Sequence, residues 1–388
     1  MRKRKGNGAV RRAGSLILAA AVLWVIFAAA GSDSLSGAVQ AVWEQDALPL
    51  TLLRLQLGET GEEESWLDLA TALVISQSPL LLSSREEILS LQSADDTDGQ
   101  EGEQPPQQPI RETPATPDTG ELTFEDNGVT ARTLVPQSAE GYVVSGLAYI
   151  NNYSDKDFNA DSLTDGFAAR LGSDAPQVLI VHTHGSEAYT MPPGQEYEAS
   201  GESRTTDTDF NVVRVGDEIA AVLAEYGISV IHDRNMYDYP QYNGAYDRSL
   251  AAIESYQAQY PSISFVLDIH RDAISDSEGN PYKVVSQVGE QLAAQMTFVI
   301  GTDGGGLQHD HWLENLKLAA AVQNTLLEDC PTLMRPITVR NSRYNQHCTT
   351  GSLLVEMGAA GNSLDEALLS ARLFAKGFAE TILAASGQ

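Results

Sequence analysis

Basic residues and cysteine are scarce in this chain of 388 residues. Lys and Arg number 24 against 53 Asp and Glu, a net charge of −29. So acidic a surface repels phosphate backbones, which argues against a nucleic-acid partner. The same excess suits a protein that must stay soluble beside a polyanionic wall. Only two cysteines occur, Cys330 and Cys348. They are too few for a disulfide framework or a thiolate zinc site, although a single bridge between them is open outside the cytosol. No G-x-S-x-G elbow surrounds Ser186, so nothing marks it as a nucleophile. Gly304-Gly305-Gly306 lacks the Lys-Ser/Thr that completes a phosphate loop. No internal repeat is visible. What is left to carry chemistry is histidine and carboxylate, in a chain whose hydrophobic fraction of 42% is ordinary for a globular protein.

The first twelve residues hold six Lys or Arg, and Leu16 to Ala30 then runs without a charge. Extended to Ala13 and Gly31, this stretch reaches the lower end of a transmembrane span, about 17–25 residues. Residues 1–31 therefore read as a cytoplasmic basic flank and a single-pass anchor, with everything beyond Gly31 outside the cytoplasm. A cleaved signal peptide is the rival reading, since Ala28-Ala29-Ala30-Gly31 offers small residues to a peptidase. Residues 32–92 carry apolar clusters that suggest short helices. From 93 to 120 the composition turns to Pro, Asp, Glu and Gln. Such a segment buries too little surface to offset its ordering entropy and reads as a disordered acidic linker.

Residues 121–170 are a lead-in with short β-like runs, and 171–388 alternate strands with helices. Gln177–His182 reads as a buried strand, and Asn211–Tyr226 as a helix with Val212, Val215, Ile219, Val222 and Leu223 at helical spacing and Gly227 as its stop. Strands follow at Ile228–His232, Ser262–Ile269, Val284–Gly289, Met296–Gly301 and Ser352–Val355. Further helices are expected at Tyr246–Tyr256, Trp312–Leu327 and Leu364–Leu383. The alternation implies an α/β fold, a largely parallel sheet flanked by helices.

Three of these strands end in polar groups: His184 with Glu187, then His270, then Glu356. In an open α/β sheet, ligands sit beyond the carboxyl ends of the strands. A catalytic zinc ion takes three protein ligands from His, Asp and Glu and leaves a fourth position open. A further carboxylate is needed to accept the proton of water. His184, Glu187 and His270 are the candidate metal ligands and Glu356 the candidate base. Glu187 could instead cap its loop, with Asp207 competing for the acidic place. His182, two residues from His184, would share its face if the strand continued; it reads as a supporting neighbour, a ligand or a packed histidine. Arg271 could pair with a carboxylate such as Asp272 or bind one on a substrate. Tyr237, Tyr239, Tyr242 and Tyr246 could stack on a sugar. His232, His309, His311 and His347 read as surface or structural.

At these residues the chain resembles the stage II sporulation protein P family. The matching pieces are VLIVHTHGSEAY (178–189), NVVRVGDEIAAVL with GISVIHD (211–233), YNGAYDRSL (242–250), FVLDIHRDA (265–273), TFVIGTD (297–303), and GSLLVEMG followed by NSLDEAL (351–368). The resemblance implies a zinc-dependent N-acetylmuramoyl-L-alanine amidase with an amidase/carboxypeptidase-like fold, acting on peptidoglycan in endospore engulfment. It also implies endopeptidase activity on stem-peptide cross-links. The implied partners are stage II sporulation proteins D and M, and the implied location is the mother-cell membrane facing the septal space. Among wider amidases the acidic ligand opens the next helix, which maps near Asp207; the H-x-x-E spacing of His184 and Glu187 is instead similar to zinc carboxypeptidases. A peptidase confined to stem peptides and a non-catalytic wall-binding scaffold are the alternatives.

Overall fold

Apolar runs in this chain are short and β-branched, and they build one central sheet. The structure is a computed structural model in which residues 121–172 and 175–387 are described. The anchor, helical segment and linker expected over 1–120 fall outside these residues. Among the described residues no helix is long and apolar enough to cross a membrane.

The main sheet has eight strands: β2 (Val143–Ser145), β3 (Ala148–Asn152), β4 (Val178–Val181), β5 (Val230–His232), β6 (Phe265–Asp272), β9 (Met296–Gly301), β10 (Ile337–Arg340) and β11 (Ser352–Ala359). Their spatial order is β2-β3-β10-β9-β11-β6-β4-β5. Every adjacent pair is parallel except β2–β3 and β9–β11. The antiparallel seam between β9 and β11 divides the sheet. β4, β5, β6 and β11 all end on one edge, whereas β9 and β10 end on the other. A small second sheet joins β1 (Ala131–Arg132), β7 (Lys283–Val288) and β8 (Gln291–Ala294). β7 and β8 form a hairpin whose two-residue turn places Gly289 at φ 60, where a side chain is disfavoured.

Among the described residues four helices cover the sheet: α1 (Val212–Glu225), α2 (Ala245–Gln259), α3 (Trp312–Asp329) and α4 (Leu364–Ser386). Asn211 caps α1 by accepting from Val213 N, and Gly227 follows its end at φ 74. Ser363 and Glu366 form a capping box at the start of α4. Alternation along the strands sorts the two faces. Val178, Ile180, Phe265, Leu267, Ile269 and Val355 pack with α1, α3 and α4 in the larger core. Leu179, Val181 and Val266 pack with Ile253 and Tyr256 of α2 in a smaller one. The α2 face is thus covered thinly, and polar side chains of β6 and β11 come to lie on it.

Two features differ from the sequence expectation. β6 runs on to Asp272 and β11 to Ala359, because the two strands pair in register past the last apolar residue of each, so His270 and Glu356 stand inside strands. β8 and β10 were not anticipated, being only four residues each, with too little periodicity to register. Cys330 and Cys348 are both free thiols.

Candidate metal centre

β4 stops at Val181, and the chain turns through Gly185, whose Cβ would lie 3.0 Å from the backbone of Met236. The turn is tied down residue by residue. Glu187 N donates to His184 O at 3.1 Å, and Val212 N at the start of α1 donates to Glu187 O at 2.9 Å. Isolated bridges join Glu187 to Arg204 and Ala188 to Asn211. A carboxylate three residues after a histidine is thereby folded back beside it.

The structure brings together His184, Glu187 and His270. His184 Nδ1 lies 3.6 Å from Glu187 Oε1, and His270 Nδ1 lies 3.4 Å from Glu187 Oε2. One donor atom from each of the three residues falls within 4.8 Å of the other two. The second nitrogen of His270, Nε2, is 3.0 Å from Asp268 Oδ1. Asp268 in turn accepts from Thr183 N at 2.9 Å and Thr183 Oγ1 at 2.6 Å. A carboxylate behind a histidine fixes which nitrogen faces inward, the usual arrangement around a ligated imidazole.

Electrostatics point the same way. Burial alone would raise the Glu187 carboxyl, but His184, His270 and the charge of Arg271 outweigh it and hold it well below the usual range. Burial would lower His270, yet Asp268 and Glu187 raise it well above an ordinary imidazole. Two buried carboxylates, Glu187 and Asp268, thus flank the His270 ring and favour positive charge on it. A divalent ion competes for the same place, since metal ligands must give up their protons. Two imidazole nitrogens, one carboxylate and an outer carboxylate on the histidine fit zinc.

Glu356 sits opposite His270 in the β11–β6 register. Burial, with the charge of Asp272 added, pushes its carboxyl up to about 8. Its Oε2 is buried with no hydrogen-bond partner. The register breaks between Glu356 and Ala359, where Gly358 adopts φ 78, and such irregularities aim side chains beside functional sites. Over His184 the Tyr242 ring is stacked at 4.7 Å and Tyr246 meets it edge-on at 5.6 Å. Tyr237 is buried on Asp233, and Tyr239 stands exposed.

The other candidates lie elsewhere. His182 faces the α1 side of the sheet, with Nδ1 3.1 Å from Ile269 O and Nε2 2.7 Å from His232 Nε2. The strand ends before His184, so the two histidines do not share a face. Asp207 is exposed and its Oδ1 accepts from Asp209 N, closing a turn away from the three donors. The Arg271 guanidinium is buried against carbonyls, donating to Ala188 O at 2.9 Å and Ser203 O at 2.8 Å. Its amide donates to Glu187 Oε2 at 3.1 Å, so Arg271 braces the Glu187 loop; Asp272 pairs with Arg335 instead. Asp268 was missed, though its signal was present: two residues before His270 on a strand, it must share that histidine's face. Arg204, 3.5 Å from Glu187 Oε1, left no signal, because no motif spans the loop that delivers it.

The His182–His232 pair sits under Gly216 of α1, where a Cβ would fall 2.6 Å and 2.4 Å from the two Nε2 atoms. Neither ring is free to retreat, since Ile269 O and Asp217 hold their far sides. Gly216→Ala gains about 1 kcal/mol of helix propensity. Overpacking a filled interior costs about 1–3 kcal/mol. The expected outcome is a net loss of up to about 2 kcal/mol, read as a lower denaturant midpoint at unchanged slope; a midpoint above wild type would show that the pair gives way freely.

The class is an α/β protein that gathers His184, Glu187 and His270 at the carboxyl edge of its sheet, a trio that could hold a metal ion, with Glu356 beside it. The chain belongs to the stage II sporulation protein P family, whose model matches residues 82–379. It is 26% identical to the Stage II sporulation protein P of Bacillus subtilis (strain 168) over 238 residues, 55% of each protein, so it spans about half the length of this curated relative. Among solved structures it is similar to the N-acetylmuramoyl-L-alanine amidase AmiC2 of Nostoc punctiforme, at 18% identity and TM-score 0.34, covering 56% of this chain and 100% of that one. The catalytic domain of CwlV, an N-acetylmuramoyl-L-alanine amidase from Bacillus (Paenibacillus) polymyxa var. colistinus, matches at 13% identity and TM-score 0.32, covering 54% and 97%.

Proposed function

We propose that this chain is a zinc-dependent peptidoglycan hydrolase that cuts the amide between the muramic acid lactyl group and L-alanine. The observation that carries the reading is the gathering of His184, Glu187 and His270 within 4.8 Å, with Glu356 paired in register beside His270. Zinc held by those three residues would supply Lewis acidity, acidifying water and polarising the scissile carbonyl. Glu356, with an unpartnered oxygen, accepts the proton of the attacking water and passes it to the leaving amine of L-alanine. Asp268 and Arg271 hold His270 and Glu187 in place, and Tyr242, exposed and stacked on His184, offers a surface for a sugar ring. The reading extends to stem-peptide cross-links as a second substrate. It also extends to septal wall degradation in engulfment beside stage II sporulation proteins D and M, from a single-pass anchor in residues 1–31.

A specific observation favours one rival. The acidic donor in the trio is Glu187, at H-x-x-E spacing, which suits a zinc peptidase restricted to stem peptides. Digestion of purified peptidoglycan by the metal-loaded protein separates the two. Free stem peptides with L-alanine at their amino termini are expected. Release of shortened stems alone would replace the amidase reading with the peptidase one. A protein that holds no metal and binds wall without digesting it would be a scaffold.

A further inference from the structure

Two consecutive residues other than glycine, Tyr344 and Asn345, adopt left-handed backbone, at φ 51 and φ 55. Asn tolerates that region and Tyr does so poorly, so the pair persists only where its surroundings over-determine it. The surroundings do. Gly301 lies so close under the loop that a Cβ would meet Ser342 O at 2.4 Å and Arg343 O at 2.6 Å. Gln346 grips the end of β9, accepting from Gly301 N at 2.8 Å and donating to Val299 O at 2.7 Å. The strained turn then presents two side chains to α2. The Tyr344 ring meets Tyr246 at 5.9 Å, and Tyr246 is the ring set edge-on to His184.

Asn345 reaches further. Its Nδ2 donates to Tyr246 O at 2.7 Å and to Ser249 Oγ at 3.1 Å. Ser249 Oγ is 2.8 Å from Thr183 Oγ1, and Thr183 Oγ1 donates to Asp268 Oδ2. The hydroxyl protons can all be aligned in one direction. Thr183 spends its proton on the Asp268 carboxylate, so the bond to Ser249 requires Ser249 to donate. Tyr246 O, which accepts from Asn345 at 2.7 Å, is the other acceptor within reach of Ser249 Oγ, at 3.1 Å against 2.8 Å for Thr183 Oγ1. In that alignment every link donates toward Asp268, whose Oδ1 makes a 3.0 Å ionic contact with His270 Nε2 and not an aligned hydrogen bond. All five residues, Asn345, Ser249, Thr183, Asp268 and His270, are buried. In a low-dielectric interior such an aligned chain is mutually strengthening.

We propose that the left-handed Tyr344–Asn345 turn is a positioning clamp for the metal centre, acting on His270 through Ser249, Thr183 and Asp268 and on His184 through Tyr246. It rests on the zinc reading given above, but its mechanical part, the fixing of His270, does not. The loop between β10 and β11 carries no ligand, yet it sets how both imidazoles are held.

The test is Asn345→Gly, which suits the left-handed backbone and removes only the amide, with Ser249→Ala as a second break in the chain. Wild type and variants are compared by thermal midpoint, by zinc affinity, and by the absorption spectrum of the cobalt-substituted protein. Asn345→Gly should keep its midpoint, lose zinc affinity by about tenfold, as loss of outer partners does, and show a changed cobalt spectrum. Wild-type affinity with an unchanged spectrum would overturn the clamp. Nitrogen-15 spectra of His270 in metal-free protein give a readout independent of zinc. Sharp, slowly exchanging ring N–H signals in wild type and broadened or shifted ones in Asn345→Gly support the clamp, and identical signals refute it. Should wild type bind no zinc, the functional reading falls, and these ring signals still decide the clamp.

Discussion

Glu356→Gln should cut turnover on peptidoglycan by roughly 10²–10⁴-fold, the usual worth of a positioned general acid–base group, while zinc content and fold stay as in wild type. Gln matches Glu in volume and fits the same strand position, so the β11–β6 register is undisturbed. It cannot accept a proton, and that is the property the reaction requires. Nor is stability at risk. Burial and the charge of Asp272 push the Glu356 carboxyl up to about 8 in the metal-free protein, so ionising it there is unfavourable and a neutral amide removes that penalty. A divalent cation nearby draws the same carboxyl back toward ionisation, which is how a group that is neutral at rest becomes a base when the centre is loaded. The measurement pairs metal stoichiometry with the rate of release of new amino termini from purified wall. A variant that holds its zinc and still digests at the wild-type rate would remove Glu356 from the chemistry.

How much of this was legible beforehand follows from what each residue depends on. Helices α1 and α4 could be read closely because caps and periodicity are local: Asn211, Gly227, Ser363 and Glu366 all act within a turn of their own position. His184, Glu187, His270 and Glu356 could be singled out because each interrupts or ends an apolar run. The choice between Glu187 and Asp207 could not be made, since it depends on a loop pinned by Arg204, Asn211 and Arg271, none of which is close to Glu187 in sequence. His182 continues the alternation of β4 onto the α1 face, beside Val178 and Ile180, and pairs with His232; it is His184 that the end of β4 at Val181 carries off that face. The seam between β9 and β11 was invisible as well, because strand direction is a property of pairing and no single segment encodes it.

Glu187→Gln should weaken zinc binding by roughly 100-fold or more, whereas Asp207→Asn should leave it unchanged. A four-ligand zinc site binds with about 10–16 kcal/mol, or about 3 kcal/mol for each ligand, and that is a factor of about 100 or slightly more. The exchange to Gln keeps the volume and an oxygen to accept from Arg271 N, so the loop between Gly185 and Ala188 should hold its course. What it removes is the negative charge that both inward-facing nitrogens, His184 Nδ1 and His270 Nδ1, now approach. Asp207, exposed and closing a turn on Asp209 N, has no route to those nitrogens without unpicking the pairing of Ala188 with Asn211. Substitution at such a surface position is worth about 0.5 kcal/mol or less. Competitive chelator titrations of the two variants beside wild type check both expectations. If Asp207→Asn lost zinc and Glu187→Gln kept it, the acidic ligand would belong to the start of α1, and the loop after β4 would have to move when metal enters.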